Sequence, residues 1–567
     1  MLPSEATVLV VGAGPSGTMA SLLLEQLGVK TALIERRPGP QRAPAAHVVN
    51  ARTLEICRAA GVDAKALAEA AKLPAEAGYA YWVTQLGGRV LGRLPFERQG
   101  DEQLALTPTP LRNLSQNRFE PILLERLRRV AGRTPCWQHQ WESSVPTRDG
   151  VCSRVRDLAT GREHEITSRW VIAADGAGSR VRKSLGIEMQ GPERLQSFLM
   201  IHFQATLRGL PEIPPGVLFF VCDPAAGGGV FIVHDLDGQA TYMRPFDPDR
   251  EGVESYTSSR CEGLLREALA DPTLELRIET IDSWTMTAQV APRFRDGHVF
   301  LVGDSAHRFP PTGGLGLNTG VQDAHNLAWK LAAVAKGWAG EALLDSFESE
   351  RRPVAQTNAD QSLRNAFRLM EVTQALGVSD FSDASRARFE ATLADPAGCE
   401  RVREAIARQA EHFDMPGLQL GFCYGEGALL RAEGEPPPGL MDVRTFTPSG
   451  RPGARLPHIW ITQNGKKDSL LDAVPLGRFL LLAGPDGDAW IDALASLGAV
   501  PIEGRKLDLA SVPDLAAWLS LAGIDRGGAL LVRPDQHIAW RARHRAAQPA
   551  RELSQALDVI LSRSRLR

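Results

Sequence analysis

The first 35 residues contain the pattern that most constrains the fold. An apolar segment, residues 7–11, precedes a glycine-rich turn, an amphipathic segment to about residue 27, and a second apolar segment, residues 31–34, ending at Glu35. This order predicts a strand, a turn, a helix and a parallel strand. In such a unit the turn amides approach a pyrophosphate and the acid accepts a hydrogen bond from a ribose hydroxyl. The residues predicted to bind a dinucleotide are Gly12, Gly14, Pro15, Ser16, Gly17 and Glu35.

A second glycine-rich turn lies near the middle of the chain. Apolar residues 299–302 predict a buried strand, which leads into Gly303-Asp304, then prolines, closely spaced glycines and a helix predicted to begin near Val321. A lone carboxylate beside bare backbone suits a cofactor whose hydroxyls need an acceptor and whose ring packs on the chain. Taken alone, the segment also fits a tight turn that binds nothing. The candidate binding residues are Asp304, Pro311, Gly314, Gly316, Leu317 and Asn318.

Residues 171–182 form a third motif, a predicted strand that ends in Asp175-Gly176 and is followed by small and basic residues. By itself this pattern is better explained by a β-turn with a solvated charge pair. The three motifs in this order, however, resemble the class A flavoprotein monooxygenases, the single-component aromatic hydroxylases. The resemblance implies an α/β fold in which a Rossmann-type FAD-binding domain is interleaved with a β-sheet substrate domain.

The resemblance also implies the cofactors. In that family the first motif holds the ADP half of a non-covalently bound FAD, and the Asp-Gly motif serves FAD and the nicotinamide during reduction. The Gly-Asp motif holds the ribityl chain and flanks the isoalloxazine. NADPH or NADH is then a transient electron donor and O2 a co-substrate, with hydroxylation through a flavin C4a-hydroperoxide. A single nucleotide-binding glycine motif predicts that the nicotinamide visits without a second Rossmann domain.

Four further segments resemble the phenol-hydroxylating branch of the family: residues 46–55, 282–286, 313–319 together with His307, and 451–460. The branch implies hydroxylation of a phenol ortho to its hydroxyl, giving a catechol. Two alternatives stay open. One is a hydroxylase of a polycyclic or polyketide-derived aromatic in biosynthesis. The other is a non-catalytic, partner-binding protein of the same fold, against which the intact glycines and aspartates of the three motifs argue.

His47 is the predicted catalytic residue. A phenol of pKa about 10 is barely ionised at neutral pH, so a histidine base suits its activation, and in the resembling enzymes the histidine of this motif has that role. The alternative is a histidine that is simply hydrogen-bonded in the interior. Arg244 matches a family arginine near the pocket, although a solvated strand charge explains it nearly as well. His307, beside Asp304, is expected to be a packed member of its motif.

The resemblance assigns three further cofactor contacts, Arg36, Arg42 and Gln116. Relatives commonly carry an arginine near the pyrophosphate where this chain has Ala45. Either Arg42 replaces that charge, or the affinity for FAD and NAD(P)H is lower. Asn113 stands where close relatives tend to have aspartate, which leaves any acid role there in doubt. The Glu35-Arg36-Arg37 sequence does not decide between NADH and NADPH.

Composition and charge argue against several classes of protein. A formal net charge of −3 gives no electrostatic case for nucleic acid or an anionic membrane, and no apolar run approaches the length of a spanning helix. The seven cysteines form no C-x-x-C and no metal-ligand spacing, so we expect reduced thiols, no metal site and a cytoplasmic location. The N-terminus lacks the pattern of an export signal. A homodimer is expected from the family.

At 567 residues the chain is longer than a single hydrophobic core usually supports, so several domains are predicted. Residues 1–75, 112–190 and 285–375 are assigned to the FAD-binding domain, and residues 76–111 and 191–284 to the substrate domain. Residues 376–435 are a predicted helical connection. Residues 436–567 resemble the thioredoxin-like C-terminal domain of one hydroxylase branch. No cysteine follows Cys423, which excludes thiol–disulfide chemistry in that domain.

Overall fold

A computed structural model describes residues 2–208, 213–271, 273–463 and 465–563; the last four residues of the predicted C-terminal domain lie outside these ranges. The described residues form a mixed α/β structure. Its strands are β1 (Glu5–Val11), β2 (Thr31–Glu35), β3 (Val48–Val49), β4 (Tyr79–Val83), β5 (Val90–Pro95), β6 (Arg112–Asn113), β7 (Cys136–Trp137), β8 (His139–Thr147), β9 (Gly150–Asp157), β10 (Glu163–Ala173), β11 (Gln196–Gln204), β12 (Leu218–Val221), β13 (Gly229–Val233), β14 (Gln239–Phe246), β15 (Arg277–Met286), β16 (Gln289–Val290), β17 (Arg295–Asp296), β18 (Val299–Leu301), β19 (His307–Arg308), β20 (Trp460–Gln463), β21 (Lys466–Ser469), β22 (Phe479–Ala483), β23 (Ile502–Lys506), β24 (Ala529–Val532) and β25 (Ile538–Ala542).

The helices connect these strands and cover their faces. They are α1 (Pro15–Gln26), α2 (Ala51–Ala59), α3 (Ala64–Ala70), α4 (Gln116–Ala131), α5 (Arg180–Ser184), α6 (Ser258–Leu269), α7 (Leu315–Ala335), α8 (Ser346–Ala375), α9 (Asp383–Ala394), α10 (Pro396–Ala407), α11 (Pro416–Leu420), α12 (Asp488–Ala493), α13 (Leu515–Ala522) and α14 (Pro549–Ile560). Within the described ranges, no helix is both long enough and apolar enough to cross a membrane.

The first sheet has the strand order β17-β18-β10-β1-β2-β7, with β8 and β9 extending from β10 as an antiparallel hairpin. Its central strands β18, β10, β1 and β2 are parallel, which confirms the predicted strand–helix–strand unit at the N-terminus. Val8, Leu9 and Val10 are fully buried. A parallel strand that is covered on both faces needs such a continuous apolar run, and helices α1 and α7 pack together on one side of the sheet.

The second sheet has the order β15-β11-β14-β13-β12-β4-β5. All its pairings are antiparallel except β4 with β12. Because side chains alternate between faces, one face carries residues such as Phe231 and Tyr242, which pack with helix α6. The opposite face carries Trp82, Ile232 and Met243, which form a second cluster with residues of α8, α9 and α10.

The C-terminal residues form a third sheet, with the order β23-β22-β24-β25. One face joins the core of the first sheet, where Phe479 packs edge-on against Trp329 of α7. Helix α7 is therefore covered by the third sheet as well as by the first. This explains why almost every residue from Leu315 to Val334 is buried, on all faces of the helix. The thioredoxin-like assignment of this unit and the domain boundaries given above remain predictions.

Helix α7 begins at Leu315, six residues before the predicted start near Val321. The glycine spacing favoured a longer turn, because glycine weakens a helix. Gly320 is nevertheless helical, since a Cβ there would lie 2.2 Å from Ser16 Oγ and 2.9 Å from Gly303 Cα. The close packing of α7 on both glycine turns therefore requires glycine at this position and outweighs its low helix propensity.

A buried ion cluster joins α7, α8 and the loop after β24. Glu350 accepts hydrogen bonds from Arg533 Nη1 at 2.7 Å and from Lys330 Nζ at 2.8 Å, and all three side chains are 0% exposed. Burial alone would raise the pKa of Glu350, but the charges of Arg533 and Lys330 lower it to about 2. The cluster thus fastens the C-terminal unit to the first sheet.

We expect Glu350→Gln to lower the free energy of unfolding by about 3–5 kcal/mol, because Lys330 and Arg533 would remain buried with less opposing charge. The folded-state pKa is below the ordinary value of 4.5, so the stabilisation is present above pH 4.5 and disappears as the pH falls towards about 2. Thermal unfolding across this range should show a smaller pH dependence for the variant than for the parent. The exposed control Glu426→Gln should behave as the parent; equal stability and equal acid sensitivity of Glu350→Gln would contradict the assignment.

Candidate active site

The first glycine turn is closely packed on one side and open on the other. Gly12 has φ +105°, and a Cβ there would lie 2.2 Å from the Ala174 carbonyl oxygen. A Cβ on Gly17 would lie 1.9 Å from the Gly12 carbonyl oxygen. A Cβ on Gly14, by contrast, would meet nothing within 4 Å, and no side chain caps α1. The unpaired first-turn amides, including those of Ser16 and Gly17, therefore fit a diphosphate.

Glu35 is buried directly behind this turn. Its Oε2 accepts from the Ala13 amide at 2.9 Å and its Oε1 accepts from the Arg37 amide at 2.9 Å. The carboxylate thus lies at the turn, as a ribose contact requires. The flanking Arg36 and Arg42 are exposed, and Gln116 Nε2 donates to Glu120 at 2.7 Å. These side chains lie around the same end of the first sheet.

Asp304 presents a free carboxylate. It follows β18 and Gly303 (φ +64°), and within the described ranges it accepts no hydrogen bond. Its side chain is accessible to solvent, yet dense surrounding protein desolvates it and raises its pKa, an effect that His307 and Arg308 oppose. A carboxylate in a cleft of this kind matches an acceptor for the hydroxyls of a ribityl chain.

The start of α7 completes the second turn. Gly314 has φ +61°, no side chain caps the helix, and the amides of Gly316 and Leu317 have no intrahelical partners. Asn318 is buried here: its Oδ1 accepts from the Asn50 amide at 2.9 Å and its Nδ2 donates to the Val48 carbonyl at 3.0 Å. Pro311 is exposed just before the turn. The bare backbone next to Asp304 fits a flat ring system, so both turns suit FAD.

The carboxylate of Asp175 accepts hydrogen bonds from the residues that follow it. Its Oδ2 accepts from the Arg180 amide at 2.8 Å and from the Val181 amide at 3.2 Å, and its Oδ1 accepts from Ser179 Oγ. Gly176 (φ +80°) has open space beside it. The carboxylate therefore stabilises the N-terminus of α5, and the turn presents its backbone to the cleft.

His47 lies immediately before β3, which pairs with β6. Its Nδ1 is 3.2 Å from Asn113 Oδ1, and its ring is stacked against Phe96 at 6.0 Å between ring centres. Burial lowers the pKa of His47 to about 4, assisted by the positive charge of Lys72. The imidazole is therefore neutral at physiological pH. With Asn113 as acceptor, Nδ1 carries the proton and Nε2 the lone pair.

One side of the surroundings of His47 is apolar and aromatic. Trp82 stacks on Phe220 at 5.0 Å and meets Phe413 edge-on at 5.8 Å, and Phe413 contacts Phe96 at 5.9 Å. A Cβ on Gly314 would lie 2.8 Å from Val48 Cβ, so β3 packs directly on the second turn. An aromatic cluster therefore adjoins the backbone proposed to flank the flavin.

Lys72 and His234 are near His47 and were not anticipated from the sequence. Lys72 Nζ donates to the carbonyls of Gly216 at 2.8 Å and Val233 at 3.0 Å, and burial lowers the pKa of Lys72 to about 8. The His234 ring is 6.1 Å from that of His47. Neither residue belongs to a recognisable motif, and only the pairing of β12, β13 and β4 brings them to this site.

The structure does not bring Arg244 to His47, which corrects the predicted pocket role. Arg244 lies on β14 with its side chain on the same face as Tyr242, whereas Thr241 and Met243 face the site. Its charge acts on Tyr242, Glu251 and Tyr256 on the α6 side of the sheet.

His307 is a packed member of its motif. It is fully buried, its Nε2 is 2.7 Å from Asp323 Oδ2, and its ring stacks on Phe309 at 4.8 Å. Asp323 also accepts from Arg351 Nε at 2.8 Å. His307 therefore supports the turn around Asp304.

One group of possible metal ligands occurs in the described part of the chain: atoms of His139, Asp157 and His164 lie within 4.8 Å of one another. His139 Nδ1 is 2.7 Å from the Trp137 carbonyl, and Asp157 accepts from the amides of Ala159 and Thr160. These contacts give His139 a structural role at the start of β8 and Asp157 a structural role in the turn between β9 and β10.

Comparisons with known proteins agree with this geometry. A family described as "FAD binding domain" matches residues 5–362, and one described as "Aromatic-ring hydroxylase, C-terminal" matches residues 449–564. The 2,4-dichlorophenol 6-monooxygenase of Delftia acidovorans is 33% identical, with 98% of each chain covered. The tetracenomycin A2 monooxygenase-dioxygenase of Streptomyces glaucescens is also 33% identical, covering 100% of this chain and 98% of the relative.

A solved structure of the flavin-dependent monooxygenase PieE, in complex with FAD and substrate, has a TM-score of 0.91 at 32% identity and 100% coverage of both chains. A complex of aklavinone-11 hydroxylase with FAD and aklavinone has a TM-score of 0.82 at 31% identity, covering 99% of this chain and 100% of the other. The resemblance seen in the motifs is confirmed. The chain belongs to the FAD-binding aromatic-ring hydroxylases, and it is an FAD-dependent aromatic monooxygenase that uses NAD(P)H and O2.

Proposed function

We propose that this monooxygenase hydroxylates a phenol ortho to its hydroxyl group and releases a catechol. The observation that carries the proposal is the placement of His47: a neutral imidazole, oriented by Asn113, in an aromatic site beside the start of α7. Its Nε2 lone pair is suited to a phenol hydroxyl. Removing that proton raises the electron density of the ortho carbon, which is the carbon that receives oxygen.

FAD, reduced by NAD(P)H and reacting with O2, supplies the oxidising chemistry when bound. The protein must then hold the cofactor, orient the ring and exclude water. Phe96, Trp82 and Phe413 form the apolar wall for the last two tasks. The residues proposed to hold FAD and admit the nicotinamide are Gly12, Gly14, Pro15, Ser16, Gly17, Glu35, Arg36, Arg42, Gln116, Asp175, Gly176, Asp304, Pro311, Gly314, Gly316, Leu317 and Asn318.

A polycyclic, polyketide-derived phenol is the second candidate substrate. It is supported by the relatives whose names refer to tetracenomycin and aklavinone, which match this chain about as well as the dichlorophenol enzymes do. Simple phenols and polycyclic phenols should be compared by substrate-dependent NAD(P)H consumption together with product identification. Coupled hydroxylation of only the polycyclic class would favour the second candidate.

We also propose that the enzyme is a cytoplasmic homodimer. The seven cysteines are free thiols, which supports a reducing compartment. The dimer is inferred from the family alone, and light scattering of the purified protein tests it.

Asp304→Ala should weaken FAD binding by roughly 10- to 100-fold, because the carboxylate is an unpaired, charged acceptor and such hydrogen bonds contribute about 1.5–3 kcal/mol. The measurement is the dissociation constant for FAD, from flavin fluorescence on titration of the apoprotein. Asp149→Ala, an exposed carboxylate on the β8–β9 turn, is the control. An unchanged constant in Asp304→Ala would remove Asp304 from the FAD site.

His47→Ala should leave FAD binding and background NAD(P)H oxidation largely intact but slow oxygen insertion by roughly 10²–10⁴-fold, the usual range for a general base. The loss should be smaller at high pH and for acidic phenols, which ionise without help. Product formation across a series of phenols of different pKa measures this, with the exposed His544→Ala as control. Equal losses for every phenol, without recovery at high pH, would show that His47 only positions the ring.

Asn113→Asp should move the acid limb of the hydroxylation pH profile upward. A carboxylate 3.2 Å from Nδ1 favours the protonated imidazole, so the pKa of His47 rises from about 4 and the neutral base is lost at a higher pH. Asn113→Ser, which removes the amide without adding charge, is the matched control. An acid limb that stays at the parental pH in Asn113→Asp would contradict the role of the neutral imidazole.

A further inference from the structure

Three buried side chains form a row across the second sheet, starting beside His47. His234 on the loop after β13, Thr241 on β14 and His202 on β11 are 7%, 0% and 5% exposed. His234 Nε2 is 3.1 Å from Thr241 Oγ1, and His202 Nδ1 is 2.9 Å from the same oxygen. The row runs from the pocket side of the sheet towards β15, the edge strand that pairs with β11.

The chemistry of the hydroxyl determines how these bonds are arranged. Thr241 Oγ1 has one proton and lies between two ring nitrogens, so one imidazole must donate to it while it donates to the other. If His234 Nε2–H donates, His234 Nδ1 carries a lone pair. That Nδ1 atom is buried and has no partner among the described residues. The ring centres of His234 and His47 are 6.1 Å apart, a separation that one phenol or water oxygen can bridge.

The proposed base cannot keep the proton it receives. The pKa of His47 is about 4, against about 10 for a phenol, so the imidazolium is a far stronger acid than the substrate. Lys72 opposes protonation of both His47 and His234, as does Arg118 for His234. At the far end, burial lowers the pKa of His202, but the carboxylates of Asp282 and Glu279 on β15 oppose that effect. The charges near the row are therefore positive at the His47 end and negative at the edge strand, a gradient that favours movement of a proton outward.

We propose that His234, Thr241 and His202 form a proton relay that carries the substrate's phenolic proton from His47 to solvent at the edge of the second sheet. The phenol O–H bond breaks and, by way of His47, a proton arrives at His234 Nδ1. His234 Nε2–H passes its proton to Thr241 Oγ1, Thr241 passes its own to His202 Nδ1, and His202 Nε2–H releases one to water. One proton enters, one leaves, and both imidazoles change tautomer without a net change of charge. This proposal rests on the proposed phenol substrate and on His47 as its base.

The test uses the FAD-loaded enzyme without NAD(P)H, and 4-nitrophenol as the probe, because its anion absorbs in the visible range. Stopped-flow mixing gives the rate at which bound phenolate forms, and the final absorbance gives its equilibrium fraction. Thr241→Val keeps the shape but removes the hydroxyl, Thr241→Ser restores a hydroxyl, and His202→Asn removes the terminal carrier. Flavin content and melting temperature establish that each variant is folded.

A relay predicts that Thr241→Val and His202→Asn slow phenolate formation by roughly 10- to 100-fold, leave its equilibrium fraction nearly unchanged, and that Thr241→Ser regains the parental rate. A purely structural Thr241 would change the affinity or the equilibrium and leave the rate of ionisation as in the parent. Parental rates in folded Thr241→Val would overturn the relay while the phenol substrate stands. Failure of the parent to bind and ionise the probe, with His47→Ala indistinguishable from it, would overturn the proposed base and the relay together.

Discussion

Asn318 holds together the two parts of the site that must be adjacent. Its side chain donates to the carbonyls of Val48 and Gly314 and accepts from the Asn50 amide, so the segment that carries His47 is fixed to the first turn of α7. Since α7 is also packed against α1 through Ser16, Gly303 and Gly320, the same helix determines the position of both cofactor turns. The base and the cofactor site are therefore held by one rigid element.

Electrostatics around His47 differ from those of a base activated by a carboxylate. The partner at Nδ1 is the neutral amide of Asn113, and the charge that acts on the pKa of His47 is the positive Lys72. Such surroundings keep the imidazole neutral and favour a negative phenolate, but they disfavour an imidazolium. Ionisation of the substrate is then favoured by the positive charge of the pocket, provided that the proton leaves. The proposed relay of His234, Thr241 and His202 meets this requirement by carrying the proton away, in addition to pairing buried polar groups with one another.

Much of the fold could be predicted because its signals are local. The N-terminal strand–turn–helix–strand unit and the apolar strand before Gly303 are continuous in sequence, and Gly12 and Gly17 have a steric reason visible in the packing. The start of α7 was placed six residues too late, since the contact with Ser16 that stabilises Gly320 within the helix is 304 residues away in sequence. Tertiary packing outweighed propensity there.

Only those residues of the site that belong to a sequence motif could be predicted. Lys72, His234 and His202 come from separate strands and loops, and a single histidine or lysine has no periodicity that reveals its neighbours. The position of Arg244 could not be predicted for a related reason. Successive side chains of β14 point to opposite faces of the sheet, so a shift of one residue moves a side chain from the pocket face, where Thr241 lies, to the α6 face. The sequence predicted the strand but not the face of the sheet on which each of its side chains lies.

A crystal structure of the FAD-loaded enzyme with a bound phenol would test the central claim most directly. The account predicts a phenol oxygen 2.6–3.2 Å from His47 Nε2, hydrogen-bond distance for a general base, with the ortho carbon facing the isoalloxazine beside Gly314. A ring bound with its hydroxyl away from His47, or on the α6 face near Arg244, would contradict it.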